Sequence, residues 1–104
     1  MKTHLDLTLS VIIVSFNTSK LTLQSIEAVL AELLSEDSLR DQSEIIVVDN
    51  HSIDGSVGAL KKIVNSYSSK INFQLILNSE NRGFASANNL AIKQARGHFI
   101  FLLN

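Results

Sequence analysis

Four short apolar runs alternate with three stretches of helical spacing, and that alternation leaves this chain few folds to choose from. Val11-Ile12-Ile13-Val14 is a compact β-branched run, fit for a strand buried on both faces. From Leu23 the period changes: Ile26, Val29, Leu30, Leu33 and Leu34 fall on one helical stripe, with Gln24 and Glu32 away from it. Ile45-Ile46-Val47-Val48 gives a second buried strand. Asp54-Gly55-Ser56 opens a second helix, with Val57, Leu60, Val64 and Tyr67 on one face. Phe73 to Leu77 reads as a third strand. A third helix starts near Gly83-Phe84, sets Ala87, Ala91 and Ala95 on one stripe, and stops at Gly97, placed as a left-handed C-terminal residue. His98 to Leu103 is the fourth strand. Such alternation predicts an α/β fold, a mostly parallel sheet with helices on both faces. Right-handed crossovers then favour the half of a nucleotide-binding fold with strand order 3-2-1-4.

Composition bounds what such a chain can do. Its 104 residues suffice for a single domain, here expected over 1–104, and 45% apolar against 18% charged residues suits a globular one. Nine Lys and Arg stand against ten Asp and Glu, a formal net charge of −1, which removes the electrostatic argument for nucleic acid or a polybasic membrane surface. No cysteine is present, so disulfides, thiolate metal sites and catalytic thiols are excluded. Phe99 to Leu103, among the longest apolar runs, is far short of the ~20 residues that span a bilayer. The start, Met1-Lys2-Thr3-His4, leads into alternating residues unlike a signal peptide, so the expected location is the cytoplasm.

Ligands of open parallel sheets bind at the carboxyl ends of the strands. Here those ends run into Ser15-Phe16-Asn17-Thr18, Asp49-Asn50-His51-Ser52, Asn78 to Gly83, and Asn104. Each is polar, and together they line one rim. Asp49 is the sharpest candidate: a carboxylate just after the second strand can accept a base N–H or a ribose hydroxyl, or else cap the following turn. Phe16 is an aromatic in a polar loop, placed to stack on a base or to close the core. Arg82 beside Gly83 offers a charged fork for phosphate or a base edge, against the alternative of a solvated loop arginine. Asn88 shares the buried stripe of the third helix and reads as a clamp on a neighbouring loop. Several other chemistries fail. The first strand-to-helix turn lacks the glycines of a dinucleotide fingerprint or phosphate loop, and it lacks the acidic pair of a phosphoryl receiver. His4, His51 and His98 have no metal-ligand spacing, and no nucleophile elbow is present.

Four segments resemble the start of family 2 glycosyltransferases, most of all the bacterial rhamnosyltransferase-like members. They are Val11 to Asn17, Ile45 to Ser56, Asn81 to Asn89 and Phe101 to Asn104, in order and in register from Ser10 onward. The resemblance implies a Rossmann-like GT-A fold that binds a nucleoside-diphosphate sugar and transfers the sugar with inversion, in cell-surface polysaccharide synthesis. By position it puts Phe16 against the nucleobase with Asn17 beside it, Asp49 on the base or ribose, and Arg82 facing base and diphosphate. Asn104 aligns with the first residue of the Asp-x-Asp motif, where Mg2+ or Mn2+ would bridge the diphosphate. Because the sequence stops at Asn104, the second motif residue, the acceptor half and the catalytic base are missing from it. The expectation is therefore a truncated donor-binding half, inactive alone and with weak or no metal binding. The alternative is a non-catalytic α/β nucleotide-binding or structural module. Strand 98–103 is apolar on both faces and carries no charge or proline after His98, so its edge is expected to drive self-association.

Overall fold

A computed structural model describes residues 7–103. Four parallel strands, β1 (Leu9–Ser15), β2 (Ser43–Asp49), β3 (Asn72–Leu77) and β4 (Phe99–Leu103), form one sheet in the order β3-β2-β1-β4. This is the order the alternation predicts. The connections are α1 (Ser19–Leu33) and the short α2 (Asp37–Asp41) between β1 and β2, α3 (Ser56–Tyr67) before β3, and α4 (Phe84–Gln94) before β4.

The β-branched runs are the centre of the molecule because they are buried on both faces. All seven residues of β2 are buried, and Ile12, Ile45, Ile46, Val47 and Val48 have no exposed surface. Alternate residues feed two cores. Val11, Ile13, Ile45 and Val47 pack with Ile26, Leu30 and Leu33 of α1 and Leu60 of α3 on one face. Ile12, Ile46 and Val48 pack with Ala87 and Ala91 of α4 on the other. Small residues on α4 let that helix lie close against the sheet. Burying one such aliphatic side chain contributes about 1.5–3 kcal/mol, so the two inner strands dominate the stability of the fold.

The spacing of apolar residues misses α2, which has no buried residue and no apolar stripe. Its one turn sets Arg40 between Asp37 at 3.3 Å and Asp41 at 3.1 Å and lays a single half-buried side chain, Leu39, against the core. The role expected of Gly97 is also corrected. Helix α4 ends at Gln94 with extended backbone at Ala95, and the glycines with positive φ are Gly55 and Gly83. Gly97 is small for a different reason: a Cβ there would stand 2.6 Å from the Ser10 nitrogen and 2.7 Å from the Leu9 carbonyl carbon. The loop into β4 thus lies directly on the start of β1.

That close approach is held by a buried carboxylate. Glu44 is 2% exposed; its Oε2 accepts the Ser10 hydroxyl at 2.6 Å and the Arg96 backbone N–H at 2.7 Å. Arg96 Nη2 reaches Oε1 at 3.2 Å, and the Gly97 N–H donates to Ser10 Oγ at 2.9 Å. This cluster sits at the amino end of the sheet and sets β4 beside β1, with Leu9 opposite Phe99. Beyond it β4 is bare. Phe99, Ile100, Phe101 and Leu102 are all exposed, so neither face of the strand is covered. No helix among the described residues is long and apolar enough to cross a membrane.

Candidate functional site

The carboxyl ends of β1, β2 and β3 are tied into one rim by side chains rather than by apolar packing. Past β1 the backbone turns at Asn17, and past β2 at His51, both non-glycine residues with positive φ, 50° and 67°. Left-handed backbone of this kind persists only where its surroundings hold it. Asn17 is held on both sides: its N–H donates to Ser52 Oγ at 2.9 Å, and its Oδ1 accepts the Ile53 N–H at 2.9 Å. Ser52 in turn serves Asp49, donating its hydroxyl to Oδ1 at 2.6 Å and its N–H to Oδ2 at 2.8 Å. The hydroxyl of Ser52 therefore relays between the two loops, accepting from one and donating to the other.

Asn50 makes the second tie. Its N–H donates to the Ser15 carbonyl at 2.8 Å, and its Nδ2 to the Gly83 carbonyl at 3.1 Å. Asn78 completes the span, donating its Nδ2 to Asn50 Oδ1 at 2.8 Å and its N–H to the Asp49 carbonyl at 2.9 Å. One buried amide thus joins the ends of β1 and β3 to the entry of α4. Beneath the first loop, Thr22 donates to Ser15 Oγ at 3.1 Å and keeps that buried hydroxyl satisfied.

Placed on this rim, the sequence candidates divide. Phe16 is 43% exposed, so its ring faces outward rather than closing the core. Asn17 lies exposed beside it and is joined to Asp49 through Ser52. Asp49 itself is 1% exposed with both oxygens on Ser52, the geometry of a turn cap. Arg82 is exposed and pairs with Glu80 at 3.3 Å; its connection to Asp49 runs through Gly83 and Asn50. Asn104 lies outside the described residues. Asn88 is buried as expected, but among the described residues its Nδ2 donates to the Phe84 carbonyl one turn back in its own helix, at 3.1 Å, and not to a neighbouring loop. The bridging work falls to Asn50, Ser52 and Asn78, which stand in the polar strand ends but carry no spacing signal that sets them apart from turn formers.

Two electrostatic features bound the chemistry. Asp54 accepts the Ser56 N–H at 3.0 Å and the Ser56 hydroxyl, and the hydroxyl bond foremost holds its carboxyl below the usual carboxylate range. That carboxylate opens α3 and is committed to it. Among the described residues no group of three His, Asp or Glu side chains gathers where a metal ion could sit. The rim as described is a hydrogen-bonded surface with one exposed aromatic ring, Phe16, beside it.

Comparison with known proteins bears on the family and the fold. The family described as Glycosyl transferase family 2 matches residues 10–104. A cholesterol galactosyltransferase of Borreliella burgdorferi is 30% identical over 91 residues, covering 88% of this chain and 23% of that protein. A mannosyltransferase from Pyrobaculum calidifontis, solved in complex with GDP-Man and Mn2+, superposes with a TM-score of 0.72 at 30% identity, covering 88% of this chain and 25% of that one. The chain therefore spans about a quarter of the length of these relatives.

Proposed function

The chain belongs to glycosyl transferase family 2, and on that premise we propose that residues 1–104 bind the nucleoside-diphosphate sugar donor of an inverting transferase. The observation that carries the reading is the rim itself. At the end of β1, next to the point where the strand order reverses, an exposed Phe16 stands above two loops locked by Asn17, Ser52 and Asp49. A nucleobase stacked on Phe16 would lie beside this relay. Asp49 then serves by exchange: a base N–H or ribose hydroxyl that displaces the Ser52 hydroxyl meets a carboxylate already in place. Exchange of one donor for another leaves the buried charge satisfied throughout, so it is cheaper than uncovering a bare carboxylate. Arg82, on the outer side of the same rim, is free to trade its exposed partner Glu80 for a diphosphate.

The mannosyltransferase neighbour holds GDP-Man and Mn2+, which supports a nucleotide sugar as the ligand class and a divalent cation in the whole enzyme. Residues 7–103 gather no group of three acidic or imidazole side chains for that cation; by resemblance, Asn104 is its candidate ligand. The likeness to rhamnosyltransferase-like sequences supports a cell-surface polysaccharide product. Calorimetric titration of GDP, UDP and dTDP into the chain and into Phe16→Ala tests the donor reading. At least one nucleotide should bind and should weaken about fivefold or more without the ring, the low end of base–aromatic stacking. Failure of all three to bind, or an affinity untouched by Phe16→Ala, would overturn it.

A further inference from the structure

The place of β4 along β1 is not fixed by apolar pattern. Strand register is well specified where one face is buried and the other wet, because a slip then turns the apolar set to solvent. On β4 that distinction is missing: Phe99, Ile100, Phe101 and Leu102 alternate between the two faces and all are exposed. Of this strand, Leu103 alone packs partly against the core. The parallel ladder is equally permissive, since its bonds are evenly spaced and can be remade further along. A slip of two residues toward the amino end keeps every side chain on its face, gives the preceding loop slack, and sets Leu103 where Phe101 stands opposite Val11.

Two bonds, however, exist in one register alone. The Arg96 N–H donates to Glu44 Oε2 at 2.7 Å, and the Gly97 N–H to Ser10 Oγ at 2.9 Å. Ser10 and Glu44 are register partners on β1 and β2, both buried and joined at 2.6 Å, so these acceptors cannot follow a moving strand. Gly97 adds a steric key. A Cβ in its place would stand 2.6 Å from the Ser10 nitrogen, and every other residue of 95–103 carries one. A buried carboxylate is costly to keep, and fixing register is the best-attested use of such a group.

We propose that Glu44 is a positioning residue: it pins the register of β4 on β1 and so sets where the chain leaves the sheet at the carboxyl-end rim. Without the pin, β4 drops back by two residues, about 6–7 Å. The pin stands on the hydrogen bonds and the bare faces of β4. Its bearing on function rests on the donor reading, in which Asn104, directly after Leu103, serves the donor by resemblance.

Because the chain has no cysteine, register can be read by trapping an intramolecular disulfide. Val11 and Phe101 are Cα partners, so Val11→Cys with Phe101→Cys should close a bond in the otherwise native chain. Leu9→Cys with Phe101→Cys should not, since strand geometry sets these positions about 8 Å apart, beyond the ~7 Å reach of a disulfide. Adding Glu44→Ala should move trapping from the first pair to the second. Glu44→Gln should restore the native pattern, because one amide oxygen can accept both the Ser10 and the Arg96 donors. Ser10→Ala removes the Gly97 acceptor and should slip as Glu44→Ala does; it carries the test if Glu44→Ala does not fold. Trapping of the first pair alone in the alanine variants would overturn the pin. Slippage in Glu44→Gln as well would overturn its assignment to these hydrogen bonds. No nucleotide enters the assay, so failure of GDP to bind the rim would remove the donor reading and leave the register result standing.

Discussion

Replacing Glu44 by alanine tests how β4 is held in the sheet. In the native chain one carboxylate, 2% exposed, accepts from the Ser10 hydroxyl, the Arg96 N–H and the Arg96 guanidinium. Alanine strands all three donors. The guanidinium is 35% exposed and recovers much of its loss from water, so the ion pair itself is discounted. The other two donors, the Ser10 hydroxyl and the Arg96 N–H, lose their acceptor at a buried position. An unsatisfied buried donor costs about 1–3 kcal/mol, so the pair predicts a loss of about 2–6 kcal/mol. That is a large share of the ~5–15 kcal/mol that holds a domain of this size. Urea unfolding of wild type and Glu44→Ala measures it, with a fall in midpoint of about 1 M or more at an unchanged slope. Amide exchange at Arg96 and Gly97 should quicken in the variant. A loss below about 1 kcal/mol would mean that the carboxylate is no more than an ordinary surface contact, and would refute the argument.

Gly97→Ala should destabilise by about 1–3 kcal/mol or more, because the new methyl meets Ser10 and Leu9 backbone that cannot yield; thermal melts that match wild type would contradict this. Asp49→Ala should cost about 0.5–2 kcal/mol as the loss of a turn cap and should also abolish nucleotide binding; melts with and without nucleotide separate the two effects. Asp54 titrates below its unfolded range, so its contribution to α3 is present above the ordinary carboxylate pKa and lost as pH falls through the lowered one. Asp54→Asn should accordingly narrow its stability gap from wild type on acidification, as paired melts across the acid range would show; a constant gap would contradict it. Sedimentation at several concentrations should show self-association that Phe101→Lys suppresses, since β4 exposes both faces and one edge; a monomeric wild type would contradict this.

The sheet order was legible because burial and periodicity coincide in this chain. A strand such as Ile45 to Val48 is apolar throughout because both of its faces are covered, and nothing in solvent competes with that reading. Helix α1 was legible for the same reason, through Ile26, Leu30 and Leu33. What escaped was stabilised by polar contacts between residues far apart in sequence. Glu44 meets Arg96 across 52 positions, and Gly97 is glycine because of Ser10 rather than its own dihedral angles. Neither leaves a local pattern. The rim divides in the same way: its location follows from topology, so Phe16, Asn17 and Asp49 could be picked out. That Asp49 is enclosed by Ser52, and that Asn50 ties β1, β3 and α4 together, depends on side-chain directions that only the folded loops define.

The central claim is that the carboxyl-end rim of the sheet receives the nucleoside part of a sugar nucleotide. An amide NMR titration of the chain with GDP and UDP tests it most directly, because every loop of the rim reports separately. Shifts should concentrate at Phe16, Asn17, Ser52 and Ile53, and the Ser52 amide should move as its hydroxyl releases Asp49. Shifts confined to the opposite end of the sheet, around Ser10, Glu44 and Arg96, would contradict the account.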